Sequence, residues 1–193
     1  STKSLWRGPI GNLLYRNRGG ALNHIFDRSM DLLLHMETRR HVDPENHGFD
    51  PAEANCYVPS EWWAVSYVLA RLPIGEDDVF VDLGCGKGRV LRIAAGYQFR
   101  RLVGVELVPA VAEQARRNLG GENRVEIVTG DARAAKLPED ASFVFLFNPF
   151  SVDVLIQVME RLNFFARQTG RGLQLLYHSP VHHEILLAKM LVN

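Results

Sequence analysis

A carboxylate and three glycines stand at alternate positions near the middle of the chain: Asp82, Gly84, Gly86 and Gly88. Glycine suits a turn that a ligand approaches closely, because it has no Cβ and adopts positive φ angles. A carboxylate two residues before the first glycine attracts an ammonium group and repels a pyrophosphate. Arg89 stands where a dinucleotide-binding turn has its third glycine. The spacing therefore predicts a ligand that carries an ammonium group.

The residues around this turn predict the elements that hold it. Val79 to Leu83 is a β-branched and aromatic run typical of a buried strand, and the apolar spacing from Val90 to Ala95 is typical of a helix. Four more strands are predicted at 101–106, 125–129, 143–147 and 173–177. Strand, glycine turn and helix form the first unit of a doubly wound α/β sheet, which binds ligands beyond the carboxyl ends of its strands. We therefore expect an α/β fold with a mostly parallel sheet.

The motif from Asp82 to Gly88 resembles the first motif of the class I S-adenosylmethionine-dependent methyltransferases, Asp/Glu-x-Gly-x-Gly-x-Gly. The resemblance covers residues 79–177, and residues 37–62 more loosely resemble a bacterial group of methyltransferases whose substrate is unknown. It implies a Rossmann-like core with S-adenosylmethionine as cofactor and S-adenosylhomocysteine as product. The expected function is methyl transfer to an unidentified acceptor.

The resemblance assigns the methionine end of the cofactor to the first strand and its turn. Asp82 and the three glycines, with Cys85 among them, are expected to hold that end. Tyr57 lies in a loop that folds over the cofactor in many members of the family, and it is expected either to close on the methionine moiety or to pack as an ordinary tyrosine.

The adenosine end is assigned to the next two strand ends. Glu106 suits the ribose, because a carboxylate has two oxygens that can accept from two hydroxyls, and Leu107 is expected to pack on the adenine. Asp131 and the backbone of Ala132 are the candidates for contacts with the adenine. The alternatives are a surface glutamate at a strand end and an ordinary Gly-Asp turn.

The candidate catalytic residues, Asn148, Pro149 and Phe150, follow the fourth strand. They resemble a shortened form of the Asn/Asp-Pro-Pro-Tyr/Phe motif of enzymes that methylate nitrogen, in which carbonyl oxygens accept from the target N–H and the aromatic ring supports the substrate. Asn148 is also expected to reach the cofactor. This chain has one proline where the motif has two, so amine or amide nitrogen and other acceptor atoms both remain open, as does a plain strand-to-helix turn.

Residues 1–75 are expected to form an N-terminal arm and a helical cap, and residues 76–193 the cofactor-binding core of one compact domain. One cap helix is predicted from Ala21 to about Arg40 and a second after a Ser60 cap. The family's sheet normally ends with two more strands than Asn193 allows, so either this edge is absent or the chain is part of a longer one. An open edge would favour an oligomer.

The composition narrows the partners and the rival functions. Lys+Arg and Asp+Glu are both 22, so the charge balance favours a protein or small-molecule acceptor over nucleic acid. Two cysteines and no apolar run of membrane-spanning length predict a cytoplasmic protein away from membranes. His178, His182 and His183 match no metal motif, so no metal is expected. The rivals are a nicotinamide-dependent oxidoreductase, which the glycine spacing disfavours, and a non-catalytic module that binds cofactor or a partner.

Overall fold

The computed structural model of the chain describes residues 21–38, 48, 58–147 and 150–178. In chain order its elements are α1 (Ala21–Leu33), α2 (Trp62–Leu69), β1 (Val79–Leu83), α3 (Arg89–Ala94), β2 (Arg101–Glu106), α4 (Pro109–Asn118), β3 (Val125–Thr129), β4 (Phe143–Phe147), α5 (Val152–Thr169) and β5 (Gln174–His178). The five strands lie within one residue of the positions that the apolar runs predict.

The strands form one parallel sheet in the order β3-β2-β1-β4-β5. Asp82 near the end of β1 pairs with Gly104 of β2 and Phe145 of β4. Because all strands run the same way, their carboxyl ends meet at one edge of the sheet, where doubly wound folds bind ligands. The predicted fold class is confirmed. Residues 179–193 lie outside the described part, so the prediction about further strands stays open.

The two faces of the sheet are covered by different helices. Phe80 packs with residues of α2 and α3, whereas the next residue, Val81, packs with residues of α5. Alternate residues of each central strand are therefore buried on opposite faces, which explains why these strands are continuous apolar runs. Phe99 joins the first layer, with its ring centroid 5.1 Å from that of Phe80 and 5.5 Å from that of Phe143.

The first cap helix is shorter than the sequence predicts. It ends at Leu33, and residues 36–38 are not helical, so the prediction of a helix to about Arg40 is wrong. His35 adopts a left-handed φ of 53°, which turns the chain back, and the amide of Met36 donates to the Asp31 carbonyl at 2.8 Å. The reversal lets Met36 pack into the core. The helix therefore stops at Leu33, and Met36 is buried in the core instead of continuing the helix.

The second cap helix begins without the predicted serine cap. The residue before α2 is Glu61, and its side chain makes no capping hydrogen bond to the helix. Instead the amide of Trp62 donates to Asp27 Oδ1 of α1 at 3.0 Å. Ser60 is buried, and its carbonyl oxygen accepts from the guanidinium of Arg89 at 2.9 Å. A tertiary contact between the two cap helices therefore replaces the local cap.

Candidate functional site

The turn after β1 has a backbone that requires glycine. Gly84, Gly86 and Gly88 have φ angles of 81°, 54° and 83°, all in the left-handed region. Gly88 is also sterically confined, because an added Cβ would lie 2.6 Å from Leu119 Cδ1. The alternate spacing noted in the sequence is thus the spacing of three left-handed residues in one turn.

Asp82 carries an unsatisfied acceptor at the base of this turn. Its side chain is only 2% exposed, and Oδ2 has no hydrogen-bond donor within the part of the chain that the structure describes. Burial raises the pKa of the carboxyl well above its ordinary value, and the negative charge of Glu106 raises it further. A buried carboxylate oxygen without a donor costs free energy. An ammonium group of a ligand would supply that donor and the opposite charge, so the residue fits the predicted methionine end.

Glu106 joins the glycine turn to the end of β2. Oε2 accepts from the amide of Gly86 and Oε1 from the amide of Val108, both at 2.9 Å. The Glu106 carbonyl also accepts from the amide of Gly130 at 2.9 Å, which brings the end of β3 alongside. Burial raises the pKa of the carboxyl, against the hydrogen bonds from backbone amides that lower it. Each carboxylate oxygen keeps a second lone pair for a hydroxyl, so Glu106 fits the ribose as well as holding the turn. Its neighbour Leu107 is half-buried.

The Cys85 thiol points into the core. An added Cβ at Gly104 would lie 2.7 Å from Cys85 Sγ and 2.6 Å from Leu91 Cδ1, so Gly104 of β2 leaves the space for both side chains. Burial raises the pKa of the thiol. The Cys85 amide donates to the Val105 carbonyl at 3.0 Å, and its own carbonyl accepts from Gly88 at 2.9 Å. Contact between Cys85 and the cofactor stays a prediction. Gly104 was missed, although a glycine inside a strand signals such a close approach.

The predicted adenine segment after β3 is held by two arginines. Asp131 Oδ1 accepts from the Arg133 amide and Oδ2 from Arg133 Nε, both at 2.7 Å, and these bonds lower the pKa of the carboxyl. The carbonyl of the buried Ala132 accepts from Arg161 Nη1 of α5 at 2.8 Å, and Arg161 also donates to the carbonyl of Ala135. The Asp131 side chain is therefore engaged within its own turn, and its contact with an adenine stays a prediction.

The acceptor side of the site is described in part. Tyr57, Asn148 and Pro149 lie outside the described residues, so their roles stay predictions. Phe150 is 8% exposed and packs in the core layer beside α5. In that position it exposes little of its ring to a substrate.

His178 lies at the end of β5, beside the end of β4. The two strands pair His178 with Phe147, and the ring centroids of these residues are 4.8 Å apart. Burial lowers the pKa of the imidazole, which favours its neutral form. The sequence predicts no metal role for this histidine, and its contact with Phe147 was not predicted.

The described ranges contain neither a metal-binding cluster nor a membrane-spanning helix. No group of three or more His, Cys, Asp or Glu side chains there is arranged to hold a metal ion, and His182 and His183 lie outside those ranges. No helix in the same ranges has the length and apolar character needed to cross a membrane.

Comparison with known proteins finds a family model that matches part of the chain. Residues 80–170 match the family model of the methyltransferase domain. A protein-lysine N-methyltransferase of Saccharolobus islandicus is 30% identical over 105 residues, which are 52% of this chain and 65% of that protein. The chain thus spans less than two thirds of this curated relative. The looser likeness of residues 37–62 to a bacterial group stays a prediction.

The chain is also similar to solved structures. A precorrin 8W decarboxylase from Methanobacterium thermoautotrophicum is 20% identical, with 72% of each chain covered and a TM-score of 0.53. An RNA methyltransferase from Salinibacter ruber, solved with S-adenosylhomocysteine, is 30% identical, with 61% of this chain and 71% of that chain covered and a TM-score of 0.46. The first of these similarities agrees with the Rossmann-like sheet described above.

Proposed function

We propose that the chain is a class I S-adenosylmethionine-dependent methyltransferase that acts on a nitrogen of a protein or small molecule, and the match of residues 80–170 to the methyltransferase domain model supports this proposal. The observation that carries the cofactor is the buried Asp82 carboxylate, whose Oδ2 has no donor within the described residues. When bound, S-adenosylmethionine supplies a methyl group on a positively charged sulfur. Within the chain, residues 76–193 would form the core that binds it and residues 1–75 the arm and cap.

The residues of the turn and the strand ends would act by binding and orientation. Asp82 would accept from the ammonium group, Glu106 from the ribose hydroxyls, and the Asp131–Ala132 segment would lie along the adenine. Methyl transfer is an in-line displacement, and fixing donor and acceptor in line can supply several kcal/mol, up to about 7–11 in ideal cases. The chain needs no nucleophile of its own for this chemistry.

The residues after β4 are the proposed acceptor site. Asn148 and Pro149 come directly after β4 in the sequence, and β4 pairs with β1, so the carboxyl end of β4 lies at the same edge of the sheet as Asp82. The side-chain and backbone carbonyls of such a segment can accept hydrogen bonds from a target N–H. The name of the Saccharolobus relative, a protein-lysine N-methyltransferase, favours an amine acceptor over a carbon or oxygen atom.

The second candidate is a methyltransferase-like module that binds cofactor without transferring its methyl group. The burial of Phe150 favours it, because a ring that is 8% exposed is poorly placed to support a substrate. This candidate predicts tight cofactor binding and no turnover with any acceptor class.

The first test is calorimetric titration of the chain with S-adenosylmethionine and S-adenosylhomocysteine, with NADH as the control ligand. We expect micromolar binding of the two sulfur ligands and none of NADH. Binding of NADH alone would overturn the cofactor assignment. Asn148→Ala should lower turnover in a screen of amines, lysine peptides and RNA by far more than it weakens binding of S-adenosylhomocysteine. Turnover on RNA alone would refute the proposed acceptor class.

A further inference from the structure

Arg89, the first residue after the glycine turn, is buried against the N-terminal cap. We define the cap as the described residues 21–38 and 58–69. The Arg89 side chain is 4% exposed. Nη1 lies 3.1 Å from Asp27 Oδ2 and 2.9 Å from the Ser60 carbonyl oxygen, and Nη2 lies 2.6 Å from Asp31 Oδ2. Thr38 Oγ1 accepts from Nε at 3.1 Å and from Nη2 at 2.6 Å. One guanidinium therefore binds four residues of the cap.

The carboxylate of Asp31 has further donors within the cap. Asp31 Oδ2 accepts from the Thr38 hydroxyl at 2.8 Å, and Asp31 Oδ1 accepts from the indole Nε1 of Trp62 at 2.9 Å. The Arg89 guanidinium carbon lies 5.7 Å from the centroid of the Trp62 ring. Buried ions are tolerated when they are paired and fully hydrogen-bonded, and removal of one partner is strongly destabilising. The network therefore holds both Arg89 and the cap residues in place.

A second cation of the turn makes a similar connection. Lys87 Nζ lies 2.8 Å from Glu37 Oε2, and the Lys87 carbonyl accepts from Asn118 Nδ2 of α4 at 2.8 Å. Asn118 also exchanges two hydrogen bonds with the backbone of Glu37, each 3.1 Å long. Gly88, with its φ of 83°, lies between Lys87 and Arg89. Both neighbours of the last glycine are therefore bound to the cap.

We propose that Arg89 is a positioning residue through which the docked cap holds the glycine turn in its cofactor-binding shape. The inference rests on the proposed function, because it assumes that this turn binds the adenosyl-methionine ligand. A turn that is already fixed loses less conformational freedom when a ligand binds, so its affinity is higher. Since coupling between two sites is reciprocal, bound ligand should also stabilise the docked cap.

The test compares two arginines that both bind backbone carbonyls. Arg89→Lys keeps the charge but cannot reproduce the forked set of donors. The control is Arg124→Lys, since Arg124 donates to the carbonyls of Ala95, Tyr97 and Phe99 where β2 and β3 begin, at the opposite end of the sheet. Calorimetric titration of the full chain with S-adenosylhomocysteine, well below each melting temperature, should show Kd raised about tenfold or more by Arg89→Lys and within about twofold of wild type for Arg124→Lys.

Hydrogen exchange gives a readout that loss of stability alone would not move. S-adenosylhomocysteine should slow amide exchange in residues 21–38 of the wild-type chain, and Arg89→Lys should abolish that slowing. Thr38→Val is the milder variant if Arg89→Lys does not fold, and it should raise Kd about threefold or more. An unchanged Kd in whichever variant folds, or equal slowing in the variant and the wild type, would overturn the inference. Failure of the wild-type chain to bind the ligand would instead overturn the proposed function.

Discussion

Replacement of Asp82 by asparagine should change stability and affinity in opposite directions. The folded-state pKa of this buried carboxyl is raised well above the unfolded value of 3.8, so the stability it contributes is present below that value and lost as pH rises through the folded pKa. At neutral pH the carboxyl therefore lowers the free energy of unfolding of the ligand-free protein. Asparagine, which is neutral and of similar shape, removes that cost, and we expect a higher melting temperature.

The same substitution removes the charge that would pair with the ligand's ammonium group. A hydrogen bond to a charged group contributes about 1.5–3 kcal/mol, which corresponds to a loss of roughly 10- to 150-fold in affinity. At a ligand concentration of about 100 times the wild-type Kd, the wild-type chain gains about 2.7 kcal/mol of stability. A variant that binds about 100-fold more weakly gains about 0.4 kcal/mol at the same concentration.

Thermal unfolding with and without S-adenosylhomocysteine, together with calorimetric titration, measures both effects. Asp140→Asn is the control, because Asp140 pairs with Arg100 in an exposed ion pair at the amino end of the sheet. That substitution should leave Kd unchanged and should change the free energy of unfolding by no more than about 1 kcal/mol. If Asp82→Asn binds the ligand within about twofold of wild type, Asp82 is not the partner of the ammonium group.

Two further predictions concern stability. Gly88→Ala should lower the free energy of unfolding by about 1–3 kcal/mol, because φ is 83° and the new Cβ would lie 2.6 Å from Leu119 Cδ1. Urea unfolding measures this change. The control is Gly121→Ala, which should shift the free energy of unfolding by less than about 1 kcal/mol because nothing lies within 4 Å of the added Cβ. Burial raises the pKa of Asp27 from 3.8 to about 6, so the stability it contributes below pH 3.8 is lost as pH rises to about 6. Asp27→Asn should flatten that part of the pH profile, and an unchanged slope would show that Asp27 is not the group responsible.

The core was predictable from the sequence because its signals are local. Val79–Leu83 is apolar throughout, as a strand buried on both faces must be, and the glycines that follow mark a turn whose left-handed backbone excludes other residues. The cap was less predictable because its contacts are distant in sequence. Arg89 binds Asp27 and Thr38, which lie 62 and 51 positions away, and nothing in the local pattern around Arg89 indicates those partners.

The electrostatics of the site argue for a cationic ligand independently of the family match. Asp82 and Glu106 are both buried near the ends of neighbouring strands, and the charge of Glu106 is one cause of the raised pKa of Asp82. Glu106 accepts from two backbone amides, whereas Asp82 Oδ2 has no donor within the described residues. A pyrophosphate would add negative charge to this pair, and an ammonium group would lower the free energy of both carboxylates. The charge of this pair therefore disfavours a dinucleotide, and the NADH control in the calorimetric titration tests that reasoning directly.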